Sequence, residues 1–403
     1  MISQPTIAVL GSHSALDVCR GAKDEGFQTL VIAEKGREKT YSIYYKIQHK
    51  TYVIPDLGRE DLSSHKKIDS LRQLAERGND NKIRKNDKIE MGCVDECLVL
   101  DKFNEILLPK IQELLRKKNC IFIPNRSFEA YLNFDYSAIE KRFQIPIFGN
   151  RFLLKIEERG TRPNQYDLLD TAKIRYPKHF SDPASIDRLC LVKVSEKMRK
   201  FERAFFLANS FKEFIKKSQE LKVRGKITKN ALNKAVIEEF VVGAQVNFNF
   251  FYSPIFRGLE LLGTDTRRQT NLDGILRLPA MYQNEILQSQ PITYEEAGHQ
   301  SVTVLESLLE KAFEMGEKFV TASQKLYPPG IIGPFALQTI ITSGPPKKDI
   351  IVIDVSPRMP GSPGISATPY ASYLYGQPLS VGKRVAMEIK QALKLSKLDS
   401  ILT

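Results

Sequence analysis

The 403-residue sequence predicts an α/β chain in which an open parallel sheet is followed by a second part of α+β character. Three observations carry that expectation. Short apolar runs alternate with turn residues and helical stretches through the first 150 residues, the pattern of strands joined in parallel by helical crossovers. The length exceeds the roughly 250–300 residues at which one hydrophobic core stops growing. After Phe148-Gly149-Asn150-Arg151 the composition changes to charged helical stretches, which divides the chain into 1–150 and 151–403.

Thr6 to Leu10 is an apolar strand-like run, followed by Gly11-Ser12-His13-Ser14 and a helical stretch to Glu25 that Gly26 stops. Phe27 to Ala33, Thr51 to Ile54 and Cys120 to Pro124 read as the second, third and fourth strands. Ligands of such sheets bind beyond the carboxyl ends of the strands, where Gly11–Ser14 and Asn125–Ser127 fall. A charged insert near 77–90, without periodicity, reads as an exposed loop. In the second part Leu189 to Val194 reads as a strand partnered by Phe205 to Ala208, and Ser210 to Val223 as an amphipathic helix. Val236 to Gly243 reads as a strand ending in glycine, and Gln245 to Tyr252 with Leu259 to Gly263 as antiparallel strands.

Apolar residues make up 42% and charged residues 27%, and no run approaches the ~20 apolar residues that span a bilayer. The N-terminus lacks the basic start and cleavage site of a secretory signal, so a cytoplasmic protein is expected. The five cysteines are too scattered for a thiolate metal site and read as reduced structural residues. A net charge of +13 suits either nucleic acid or phosphorylated small molecules.

Three segments of the second part could carry chemistry. Glu238-Glu239-Phe240-Val241-Val242-Gly243 sets two carboxylates beside an apolar strand end, which suits an adenine ring and ribose hydroxyls, although a solvated surface strand has the same composition. Gly333 to Gln338 and Ile351 to Arg358 read as neighbouring strands bearing oxygen ligands, Gln338 and Asp354, with Arg358 four residues after the aspartate. Magnesium needs only one or two carboxylates when nucleotide phosphates and water complete its octahedron, and an arginine can meet a phosphate in bidentate fashion. Asp265 to Gly274, which includes Arg267 and Asn271, is dense in phosphate donors and amides, as a solvated turn at Asp273-Gly274 also would be.

In order along the chain, LGSHSALDVCRGAKDEGF (10–27), PIFGNR (146–151), EEFVVGAQVNFNFFYSP (238–254), NLDGILRLPA (271–280) and PPGIIGPFALQ (328–338) resemble the archaeal ATP- and formate-dependent synthetases. Those enzymes formylate 5-aminoimidazole-4-carboxamide ribonucleotide (AICAR) in purine (IMP) biosynthesis. The resemblance implies an ATP-grasp fold in 151–403 preceded by a pre-ATP-grasp domain in 1–150. It implies that His13, Ser14, Ser127 and Asn271 contact AICAR and that Glu238, Glu239, Phe240, Val241 and Gln245 line the ATP site. Gln338 and Asp354 fall at the metal positions, for magnesium or manganese, with aspartate in place of the family's glutamate. Lys193 is the candidate phosphate-binding lysine, with Arg267 and Arg358 as further phosphate ligands. The implied partners are ATP, formate and AICAR or a related ribonucleotide, in a homo-oligomer, without membrane or nucleic acid.

The chain departs from the family where a glycine-rich loop would fold over the triphosphate. Val194 to Arg203 has no glycine, nor has any position between Gly160 and Gly225, so side-chain cations would have to replace backbone N–H groups there. Asn125-Arg126 replaces a histidine-glycine ahead of Ser127. Two alternatives follow: a paralogue that binds nucleotide with little ligase activity, and a basic nucleic-acid-binding protein.

Overall fold

The computed structural model describes residues 4–51, 88–158, 160–194, 205–290, 296–344 and 347–403. Residues 77–87 of the charged insert and 195–203 of the glycine-free stretch lie outside the described residues. In the first part β1 (Thr6–Leu10) runs parallel to β2 (Gln28–Glu34), while β3 (Gln48–Thr51) and β4 (Lys88–Met91) form a separate antiparallel ribbon. Two more strands, β5 (Glu96–Leu100) and β6 (Cys120–Phe122), complete a parallel sheet of order β5-β2-β1-β6. Ala8, Val9 and Leu10 and the run Leu30–Ala33 are fully buried, as strands covered on both faces must be. The third strand of this sheet is therefore β5. The strand expected at Thr51–Ile54 starts at Gln48 and belongs to the ribbon, with Tyr52–Ile54 outside the described residues.

Among the described residues the second part holds two antiparallel sheets. One contains β7 (His179–Phe180), β8 (Cys190–Lys193), β9 (Phe205–Ala208) and β10 (Val236–Glu239) in the order β7-β10-β8-β9. The other contains β11 (Ala244–Ser253), β12 (Gly258–Gln269), β13 (Glu296–Ser301), β14 (Gly333–Thr342) and β15 (Asp349–Ser356) in the order β13-β12-β11-β14-β15. β8 pairs with β9 and the helix Phe211–Val223 opens on Ser210, whose Oγ accepts from the Glu213 N–H, both as the sequence predicts. β10 stops at Glu239, so Phe240–Gly243 is a link between the sheets and not the end of a strand. The helix Leu309–Leu326 packs Phe319 against Phe335 of β14 at 5.2 Å between ring centroids, which buries one face of the larger sheet.

The helix Val381–Lys394 returns to the first sheet and lies across Ala15–Asp24. Gly21 and Gly382 meet at this crossing; a Cβ on Gly21 would collide with the Lys383 backbone, so only glycine permits the approach. The Asp17 carboxylate accepts the Gly382 N–H at 2.9 Å, and Val18, Val385 and Ile389 share one apolar core. Phe251 of β11 and Leu262 of β12 belong to the same core, so the returning helix joins the first part to the five-stranded sheet. All five cysteines are free. Among the described residues no helix is long and apolar enough to cross a membrane.

Candidate functional site

One wall of the candidate site is made by the loops beyond β1 and β6. Gly11 follows β1 because a Cβ there would lie 2.6 Å from the Tyr41 ring, and Ser14 takes a left-handed conformation (φ 66°) to open the helix Ala15–Asp24. Asn125 fastens the two loops together. Its amide donates to the carbonyls of Leu10 at 3.2 Å and His13 at 3.1 Å, and its Oδ1 caps the helix Arg126–Tyr131 at the Phe128 N–H. Ser127 Oγ donates to Ser12 Oγ, and Ser14 Oγ donates to the Pro360 carbonyl just beyond β15. His13 is exposed, with its Cβ 3.9 Å from where a Cβ on Gly361 would stand. Three residues expected to share one substrate, His13, Ser14 and Ser127, are thus together.

The second wall lies between the two antiparallel sheets. Lys193 on β8 and Glu238 on β10 are both buried and form an ion pair at 2.5 Å, while Lys193 Nζ also donates to the Ile353 carbonyl of β15 at 3.3 Å. Edge-on packing sets the His179 ring against Tyr166 at 4.4 Å, and its Nε2 lies 3.9 Å from Glu238. Glu239 pairs with Arg188 at 3.3 Å, Phe240 is exposed with its N–H bound to the Leu189 carbonyl, and Val241 is half-buried in the link. Gln245 pairs with Ile340 of β14 as β11 begins.

Gln338 on β14 and Asp354 on β15 face each other across the strand pair, and Gln338 Nε2 donates to Ser356 Oγ at 3.2 Å. Among the described residues no group of three His, Cys, Asp or Glu side chains could hold a metal by itself. One amide oxygen and one carboxylate nevertheless fit a magnesium ion whose other ligands are nucleotide phosphates and water. Arg358, four residues on, is buried and committed to carboxylates: Nε reaches Glu129 at 3.1 Å and Nη2 reaches Glu157 at 2.9 Å. Arg126 binds the same two carboxylates, so two arginines and two glutamates close a box where the first part meets β15. Burial raises the Glu129 pKa, helped by neighbouring Glu157 and opposed by Arg126 and Arg358. Burial works against the charge of Arg126, yet Glu157 and Glu129 outweigh it and raise its pKa.

Arg267 and Asn271 lie on and just beyond β12. Asp273 accepts from Arg268 Nε at 2.9 Å and from the Gln269 N–H at 2.8 Å, so Asp273 holds the turn, and Asn271 sits at a positive φ (31°) at its apex. The sequence gives no sign of the cluster beside it. Asp265 on β12 accepts from Asn247 at 2.9 Å, Asn249 at 2.6 Å and His299 Nδ1 at 2.5 Å. His299 Nε2 meets Glu296 at 3.0 Å, whose other oxygen meets Arg267 Nε at 3.4 Å. Burial alone would lower the His299 pKa, but its two carboxylate partners hold it up at about 9. Burial would raise Glu296, but His299 and then Arg267 and His13 bring it down to about 2. Pairing of β12 with β11 on one side and β13 on the other brings these residues together, and no sequence spacing marks it.

Comparison with known proteins places this architecture. Two family models match, "Protein of unknown function (DUF1246)" over residues 7–180 and "Domain of unknown function (DUF1297)" over residues 213–403. The chain is 36% identical over 400 residues to the 5-formaminoimidazole-4-carboxamide-1-(beta)-D-ribofuranosyl 5'-monophosphate synthetase of Methanocaldococcus jannaschii, covering 99% of this chain and 95% of that one. The protein of the same name from Methanobrevibacter smithii is 34% identical over 400 residues, covering 99% and 94%. Among solved structures, the IMP biosynthesis protein PurP from Thermococcus kodakaraensis superposes with a TM-score of 0.63 at 25% identity, covering 98% of this chain and all of that one. The N5-carboxyaminoimidazole synthetase of Staphylococcus aureus complexed with ADP superposes at 0.53 and 12% identity, covering 93% and 78%, a likeness of ATP-grasp fold alone.

Proposed function

The chain belongs to the family of 5-formaminoimidazole-4-carboxamide ribonucleotide synthetases, and we propose that it is an ATP-dependent ligase that formylates AICAR with formate in IMP biosynthesis. The observation that carries this reading is the bond from Ser14 Oγ to the Pro360 carbonyl, because it sets the His13–Ser14–Ser127 loops directly against the end of β15, which bears Asp354. A ribonucleotide held by the first part (1–150) would then lie within reach of a nucleotide held by the second (151–403).

Formate is a poor acyl donor, since oxide would have to leave. A formate oxygen attacks the γ-phosphorus of ATP, ADP departs, and the formyl phosphate formed offers phosphate as the leaving group. The 5-amino nitrogen of AICAR then attacks the formyl carbon, the C–O bond to phosphate breaks, and the nitrogen loses a proton. The protein contributes chiefly position and charge. In this reading Lys193 exchanges Glu238 for a phosphate oxygen of ATP, Glu238, Glu239, Phe240, Val241 and Gln245 surround adenosine, and Arg267 faces the phosphate of AICAR. His13, Ser14, Ser127 and Asn271 hold AICAR. Gln338 and Asp354 would hold magnesium or manganese, which when bound neutralises the transferring phosphoryl group. Arg358, tied to Glu129 and Glu157, supports the site from behind β15. As the family resemblance implies, the same reading has the chain act in the cytoplasm as a homo-oligomer.

Incubation with magnesium-ATP, formate and AICAR tests the reading. ADP and formylated product should appear together, each dependent on all three substrates, and Asp354→Ala should lower turnover at least ~100-fold. The absence of glycine from 161 to 224 favours a second reading, a nucleotide-binding paralogue with little ligase activity. Saturable ATP binding without product would establish that reading and remove the first.

A further inference from the structure

Within the cluster on β12 and β13 the charges balance: Asp265 and Glu296 are negative, His299 and Arg267 positive. The balance is unequal in geometry. Asp265 is 1% exposed and uses both oxygens on three donors, whereas the His299 side chain is 11% exposed and grips a carboxylate with each ring nitrogen. Glu296 is thereby shared, one oxygen on His299 at 3.0 Å and the other 3.4 Å from Arg267 Nε, a separation too long for a strong hydrogen bond. Arg267, its side chain only 16% exposed, has no closer carboxylate among the described residues. His299 Nε2 lies 3.8 Å and His13 Cβ 3.9 Å from where a Cβ on Gly361 would stand, so both histidines flank Gly361. His13 is one of the residues assigned above to the ribonucleotide.

We propose that His299 is a positioning residue of the ribonucleotide site: its cationic ring neutralises Asp265 and Glu296, and so keeps Arg267 from capture by Glu296 and available to the anionic ribonucleotide. The inference rests on the ligase reading for the identity of that ribonucleotide. Without the imidazolium, two carboxylates face one arginine, Glu296 takes Arg267 with both oxygens, and the wall opposite His13 turns negative. An anionic ligand then meets repulsion in place of a cation. The charged groups facing His299 are Asp265 and Arg267 from β12, Glu296 from its own strand and His13 from the first part. The groups from β11, Asn247 and Asn249, are neutral and do not titrate.

The test is calorimetric binding of AICAR, and separately of ATP, to the full-length wild type, His299→Asn and His299→Lys from about pH 7.5 to 10, where the AICAR phosphate stays a dianion. Wild-type affinity for AICAR should fall about tenfold as pH rises through about 9, the value at which the ring loses its proton. His299→Asn should bind AICAR about tenfold more weakly at the low end and show no such fall, while His299→Lys should regain affinity and hold it past pH 9. ATP affinity should be the same in all three. Wild-type and His299→Asn proteins that bind AICAR equally, with the same pH profile, would overturn the role of His299 and leave the ligase reading intact. A wild type that binds ATP but not AICAR would overturn both. Should His299→Asn fail to fold, the wild-type profile decides alone: an affinity unchanged through pH 9 overturns the proposal.

Discussion

Arg384 and Arg267 both sit among carboxylates beside the five-stranded sheet, and their surroundings differ in one respect. Arg384 is closed. Nε and Nη2 reach Glu260 at 2.8 Å, Nη1 reaches Glu388 at 2.8 Å, and the guanidinium lies 4.0 Å over the Phe251 ring. The Tyr375 hydroxyl donates to Glu260 at 2.7 Å and Ser253 Oγ donates to Glu388 at 2.6 Å. Arg267 is open, with a single carboxylate at 3.4 Å. A saturated cluster has no capacity left for a ligand and works as an anchor, here between the returning helix and the sheet. An unsaturated buried cation retains the capacity to bind an anion, at the expense of stability.

Substitutions can break this contrast. The largest effect is expected at Arg384→Ala, which strands Glu260 and Glu388 and should destabilise the fold by about 3–5 kcal/mol in chemical denaturation. Activity per folded molecule should be little changed. Arg267→Ala should do the reverse, raising the KM for AICAR about 10- to 100-fold with kcat and melting temperature nearly unchanged. Equal loss of stability in both variants would abolish the distinction.

A smaller effect concerns pH. The folded-state pKa of His299 is raised from 6.5 to about 9, so its contribution to stability is complete below pH 6.5 and is lost as pH rises through about 9. Glu296 is depressed from 4.5 to about 2, so its contribution is present above pH 4.5 and is lost as pH falls towards 2. The gap in melting temperature between wild type and His299→Asn should therefore close between pH 6.5 and about 9.5. The smallest effect belongs to the half-exposed pair Arg20–Asp24, where Arg20→Ala should shift the melting temperature by less than about 1 °C.

The sequence reveals most where burial is uniform. β1, β2 and β6 are apolar runs covered on both faces and can be read directly. β5 escapes because it is an edge strand in which Leu100 alone is buried, and its first residue, Glu96, is charged. The same blindness shortens β12. Only Leu259 to Gly263 reads as strand, with Asp265 to Gly274 as phosphate donors or a solvated turn at Asp273-Gly274, yet pairing with β13 carries the strand to Gln269 and encloses Asp265. The loops holding His13, Ser14 and Ser127 are visible as strand ends, but the clamp that joins them is not, because the carbonyls that Asn125 binds lie 115 and 112 residues away. His299 is 34 residues from Asp265, and nothing short of the strand register connects the two.

The most direct measurement follows the oxygen atoms. With formate carrying oxygen-18, magnesium-ATP and AICAR, the ligase account predicts one labelled oxygen in each inorganic phosphate released, because the formate oxygen that attacks phosphorus leaves with it. Phosphate without label, or its release at the same rate when AICAR or formate is withheld, would contradict the account.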